Sequence, residues 1–297
     1  MLTDLKTRLR SRTFNEWPLY WLISAPMALY IVAAMLMRDL ATPEGISLMI
    51  QTSVRWSMPW LYLAFVASSL MVLAPGEPSR WLLRNRKIMG LCFATGMAWQ
   101  VSFIVWLVTW HTDYYVNEVY VLRDVIEGLV GYTFLLAMTV TSFRRGRQLF
   151  TPKATHWKLL HKSGIYFLWA YAFGTYWYSV FYYENPDWVH YLYYWLGVAA
   201  ISLRIAAWVR KQMSVSTPTN GRPALAAAGF AVILLGISGA ATGSLWQALA
   251  HEHLYGVNWA EPLELYVPYW PFVPYLPMFA VALGGYLLAR SRQNTAG

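Results

Sequence analysis

The sequence predicts an all-α membrane protein, a polytopic bundle of about eight transmembrane helices with both termini on the cytoplasmic side. Three observations carry this. Only 12% of residues are charged, about half the share in a soluble domain. Apolar runs long enough to cross a bilayer recur along the whole chain. Lys and Arg gather in alternate loops.

Eight windows meet the requirement of roughly 20 apolar residues for a crossing: about 18–38, 54–75, 88–110, 124–143, 157–181, 189–210, 224–246 and 270–290. The first follows a basic segment, MLTDLKTRLRSRTFNEW, and lacks a small-residue cleavage site, so it reads as a retained helix rather than a signal peptide. Breakers separate the others: Pro75 and Pro78 after the second, Pro152 before the fifth, Pro186 before the sixth, and Pro218 and Pro223 before the seventh. The stretch QALAHEHLYGVNWAEPLELYVPY, about 247–269, is the longest outer segment and is expected as a loop over the outer end of the bundle. No polar stretch is long enough for a separate soluble domain.

Charge sets the orientation. All of the 23 Lys and Arg except Arg38, Arg55 and Arg123 fall on one side, which the positive-inside rule makes cytoplasmic. The opposite side holds most of the acids, among them Asp39, Glu44, Asp113, Glu118, Asp124, Glu127, Glu184 and Asp187. Net charge is +9, but the cations lie in short clusters between apolar runs, which excludes a nucleic-acid reader. Trp and Tyr crowd the helix ends, as in Trp106, Trp110, Tyr114 and Tyr115 or Tyr176, Trp177, Tyr178, Tyr182 and Tyr183, and read as interfacial belts. The single Cys92 excludes an internal disulfide or a cysteine metal site.

Three stretches carry a resemblance: TSVRWSMPWLYLAFVASSLMVLAPGEPSRWLLRNRKIMGL, EGLVGYTFLLAMTVTSF and HWKLLHKSGIYFLWAY, with Arg204 following. In order and spacing they resemble the second to sixth helices of the ferric-reductase-like transmembrane family, in particular its bacterial haem-binding membrane subunits of a methionine sulfoxide reductase. On that resemblance, residues 1–17 are a cytoplasmic basic segment, 18–212 a ferric-reductase-like core, and 213–297 two additional helices. The resemblance implies electron transfer, a partner protein in a membrane redox complex, and a bacterial inner (cytoplasmic) membrane.

That family places His residues on its third and fifth helices to hold two stacked b-type haems. Here His161 fills one place of four. The facing position is Gln100, in MAWQVSF, and the outer places fall near Tyr114 and near Gly174 or Thr175. A low-spin haem needs two strong axial ligands, and an amide is a poor one. The resemblance therefore implies at most one haem b, or a quinone held by imidazole and amide, at His161 and Gln100. The alternative is a cofactor-free accessory or assembly protein in which Gln100 bonds His161 and ties two helices together.

A second set of imidazoles lies outside. His111 ends the third run, His190 opens the sixth, and His251 and His253 flank Glu252 in the long outer segment. Imidazole with a carboxylate such as Glu252 or Asp113 suits zinc or copper. His111 lies 11 residues after Gln100, about 16 Å along one helical face, which places two polar positions on one stripe. His156, beside Lys153 and Lys158, reads as a headgroup-level residue. Arg55, Arg123, Asp124 and Glu127 sit near outer helix ends, and the central turns carry almost no charge, so a proton or ion path is not supported. No nucleotide-binding or flavin-binding motif is present, so any electron donor is a quinol or another protein.

Overall fold

The computed structural model describes residues 7, 9–150, 153–215, 222–255 and 267–292. It contains helices and turns and, among the described residues, no strand. The helices are α1 (Glu16–Leu36), α2 (Pro43–Leu73), α3 (Glu77–Arg84), α4 (Arg86–Trp110), α5 (Leu122–Thr141), α6 (Arg144–Phe150), α7 (Ala154–Tyr182), α8 (Trp188–Val215), α9 (Pro223–Ala241), α10 (Gly243–Tyr255) and α11 (Leu276–Arg290).

Among the described residues, seven helices are long and apolar enough to cross a membrane: α1, α2, α4, α5, α8, α9 and α11 with the turn before it. Helix formation there satisfies the backbone internally, which lipid cannot do. Helix α7 has the length, at 29 residues, but the Tyr and Trp residues of its later turns, with His and Lys in its first, keep its hydropathy lower. The protein is thus an integral membrane protein with at least these seven apolar helices.

The chain divides into two compact units. The first comprises residues up to Phe65 and Arg80–Trp169; the second comprises Val66–Ser79 and the residues from Ala170 onward. Helices α2 and α7 each contribute to both. The last two apolar helices group with residues 170–215 in the second unit.

In the first unit, Met27 and Ile31 of α1, Ile46 and Met49 of α2, and Phe103 and Leu107 of α4 form a fully buried cluster. Helix α2 begins about eleven residues before the predicted run, because Ile46, Met49 and Ser53 turn inward at helical spacing. The basic side is closed by a polar clasp. Asn85, 1% exposed, accepts the backbone N–H of Glu16 at 3.1 Å and donates to Asn15 at 3.0 Å and the Trp81 carbonyl at 3.1 Å. Arg84 adds bonds to Asn15 and the Leu9 carbonyl, both 2.9 Å. Glu16 adopts a left-handed φ of 55°, a strained conformation for a side-chain-bearing residue, and the Asn85 bond offsets it.

In the second unit, α9 and α11 meet backbone to backbone. A Cβ on Gly229 would come within 2.9 Å of the Gly284 carbonyl oxygen, and one on Gly284 within 2.6 Å of that of Gly229. Small residues are what permit such approach where lipid supplies no hydrophobic drive. Around them, Tyr194 donates to the Ala240 carbonyl at 2.7 Å and Tyr275 to the Ala170 carbonyl at 2.8 Å.

Two expectations change. Tyr176 and Trp177 are buried packing residues, whereas Tyr178, Tyr182 and Tyr183 are exposed, so only part of that aromatic run is a belt. The outer segment expected as a loop from about 247 begins as α10, reaching Tyr255, since ALAHEHL favours a helix; residues 256–266 lie outside the described ones.

Gly284→Val should overpack the α9–α11 contact and cost roughly 1–3 kcal/mol, read as a lower thermal midpoint in detergent. Leu283→Val, on the exposed neighbour, should leave the midpoint nearly unchanged.

Candidate functional site

His161 sits in the second turn of α7, half-buried. Its Nε2 lies 3.0 Å from Thr141 Oγ1 at the end of α5. The Thr141 hydroxyl has one proton and gives it to the Ala137 carbonyl at 2.7 Å. With the hydroxyl proton so engaged, the imidazole is the donor, its hydrogen on Nε2 and its lone pair on Nδ1. Trp157, one turn earlier, packs its ring 4.5 Å from the imidazole and donates to the Thr141 carbonyl at 3.1 Å. The Arg147 guanidinium lies over the Trp157 ring at 4.5 Å, and Arg86 and Arg147 both bring positive charge to bear on the imidazole. The result is an N–H donor beneath an indole, inside a cationic rim.

Gln100 belongs to a different place. Its Oε1 accepts the Tyr132 hydroxyl at 2.9 Å, and the same phenol lies 3.3 Å from the Met97 carbonyl. Tyr132 and Thr141 are both on α5, nine residues apart, which is about 13 Å of rise and half a turn out of phase. Helix α5 thus turns Tyr132 to α4 and Thr141 to α7. The direct His161–Gln100 bond of the cofactor-free alternative is not formed: each group is held by its own partner, at different depths and on opposite faces of α5.

The position on α7 where the resemblance places an outer ligand is packed. A Cβ on Gly174 would meet the Tyr275 hydroxyl at 2.9 Å, and the Tyr275 ring packs, tilted by 47°, against Phe173 at 5.8 Å. The other outer place, Tyr114, lies beyond the end of α4, in the short helical turn Thr112–Tyr114.

Each outer imidazole has its own local surroundings. His111 caps α4, its N–H bonded to the Leu107 carbonyl at 2.9 Å. His190 Nδ1 accepts the Asp187 backbone N–H at 3.0 Å, and the Asp187 carboxylate caps the start of α8 through the N–H groups of Val189 and His190. His251 and His253 are exposed on α10, and residues two apart on a helix point to opposite sides. A shared metal on His-Glu-His needs an extended or looped backbone, which this segment does not have. No group of three or more His, Cys, Asp or Glu converges among the described residues. His156 is exposed, as expected for a headgroup-level residue.

Thr141, Trp157, Tyr132 and Arg147 are the residues that sequence reading passed over. Two signals were present: Trp157 lies four residues before His161, one helical turn, and Thr141 closes an otherwise apolar run.

A double-mutant cycle tests the pairing. Tyr132→Phe with Gln100→Leu should show a coupling of about 0.6 kcal/mol and no more than roughly 1.7, whereas Gln100→Leu with His161→Leu should be additive. A larger coupling for the second pair would restore a direct bond. Comparison with known protein families, characterised proteins and solved structures finds no match to this chain.

Proposed function

We propose that this protein is the membrane subunit of a redox complex, in which His161 is the contact for one quinone-type or haem-type cofactor near the cytoplasmic face. In this reading α7 is an eighth crossing. An even number of crossings puts both basic ends inside, in a bacterial cytoplasmic membrane, and a partner protein takes or supplies the electrons.

The observation that carries it is the His161 environment. An imidazole N–H donor, an aromatic face and two guanidiniums meet at one end of a membrane helix bundle. The donor set fits a quinone first: Nε2–H can give its hydrogen to a quinone carbonyl in place of the Thr141 hydroxyl, a weak neutral acceptor. A haem fits with one change, since iron takes a lone pair and the ring must carry its hydrogen on Nδ1 to offer Nε2. Arg86 and Arg147 would supply positive charge for haem carboxylates. Either group supplies reversible electron transfer when bound; the chain's residues orient it and set the local charge.

The second reading is a cofactor-free accessory or assembly protein. It is favoured by the existing partners: Thr141 bonds His161 and Tyr132 bonds Gln100, so neither buried group requires a guest.

Purified protein should yield a quinone on organic extraction, or a Soret band that shifts on dithionite reduction, and His161→Ala should lose that signal while keeping its helical circular dichroism. Absence of both signals in the unaltered protein would establish the cofactor-free reading.

A further inference from the structure

The second unit carries a groove that the redox reading does not use. It runs between α8, α9 and α11, with a cavity volume of about 520 Å³, inside the range of roughly 300–1,000 Å³ typical of small-molecule sites. Nine of its twelve lining residues are aliphatic, Met or Gly; the others are Ser202, Arg210 and Arg292.

The polar groups are segregated. On α8 the lining runs from Ser202 to Met213, and on α11 from Val281 to the Arg292 that follows the helix. In each stretch the first and last residues are eleven positions apart, about 16 Å of rise, close to half of a roughly 30 Å hydrocarbon core. Both helices run in the same sense, so Arg210 and Arg292 stand together at one end, with Ile205, Ile233, Ile237 and Val281 farther in. The Arg222 N–H bonds the Ser291 carbonyl at 2.9 Å and brings a third cation to that end. The sequences of α8, α9 and α11 contain no acidic residue.

Arg210 directs one N–H to the Leu73 carbonyl at 2.7 Å. That bond uses one of five donors and fixes the guanidinium at the groove mouth. Gly285 shapes the floor: a Cβ there would come within 2.7 Å of Ile205, so its absence lets α11 approach α8.

We propose that this groove is a binding site for one anionic phospholipid of the leaflet on the arginine side. An acyl chain lies along α8, α9 and α11, and the phosphate bonds Arg210 and Arg292. One-leaflet depth together with charge at one end matches that amphiphile; a free phosphate would leave the apolar length without a role, and a zwitterionic lipid would gain little from the paired guanidiniums.

Native mass spectrometry of the detergent-solubilised full chain, with added phosphatidylglycerol or phosphatidylcholine, tests it. One phosphatidylglycerol should be retained in preference to phosphatidylcholine. Arg210→Gln with Arg292→Gln should weaken it about 25-fold, from roughly fivefold per guanidinium. Ala206→Phe, which fills the groove and keeps both arginines, should also remove it. Equal retention of the two lipids, an unchanged double variant, or displacement by inorganic phosphate at millimolar concentration would each overturn the assignment. Tryptophan fluorescence and circular dichroism identify any variant that fails to fold, in which case Arg292→Gln alone replaces it.

Discussion

Inside a hydrocarbon slab no solvent is present to meet a stray N–H or hydroxyl, so each polar atom that enters must find its partner within the chain. Much of this molecule follows from that rule. The Ser and Thr residues of the long helices turn their hydroxyls back on the preceding turn: Thr52 to Leu48, Thr95 to Leu91, Ser102 to Ala98, Thr133 to Leu129 and Ser179 to Thr175. Longer polar side chains cannot do this and reach a neighbouring helix, as Tyr194 and Tyr275 do. Such bonds also fix the rotation of each helix about its axis, which apolar packing leaves loosely specified.

The same rule explains what was legible in the sequence. Seven apolar runs were recoverable because crossing length and low charge are properties of a window, not of a fold. The early start of α2 was not, since PEGISLMIQTS reads as polar until Ile46 and Met49 are known to face a core. Nor was α10, whose two imidazoles flanking Glu252 resemble a ligand motif in a loop and become divergent once wound into a helix. Tyr176 and Trp177 were misassigned for a related reason: an aromatic at a helix end suits headgroups and packing equally, and only neighbours decide.

At the site, His161 and Gln100 were identifiable as polar residues in membrane helices, and both do occupy partly buried positions. Their separation was not identifiable. Sequence spacing within α4 and within α7 says nothing of the offset between the two helices; that information lies in α5, where Tyr132 and Thr141 point opposite ways. The hydrogen on Nε2 is likewise a property of three residues in series, Ala137, Thr141 and His161, none of which reveals it alone.

The clasp around Asn85 has a consequence for the basic stretch that precedes α1. With Leu9, Ser11, Phe14 and Asn15 all bonded to one another or to residues 81–85, residues 9–15 are stitched to the rim rather than trailing from it. Arg10 and Arg12 therefore keep a set height and spacing, more like teeth on a collar than beads on a string. Anything that docks there meets a shape as well as a charge.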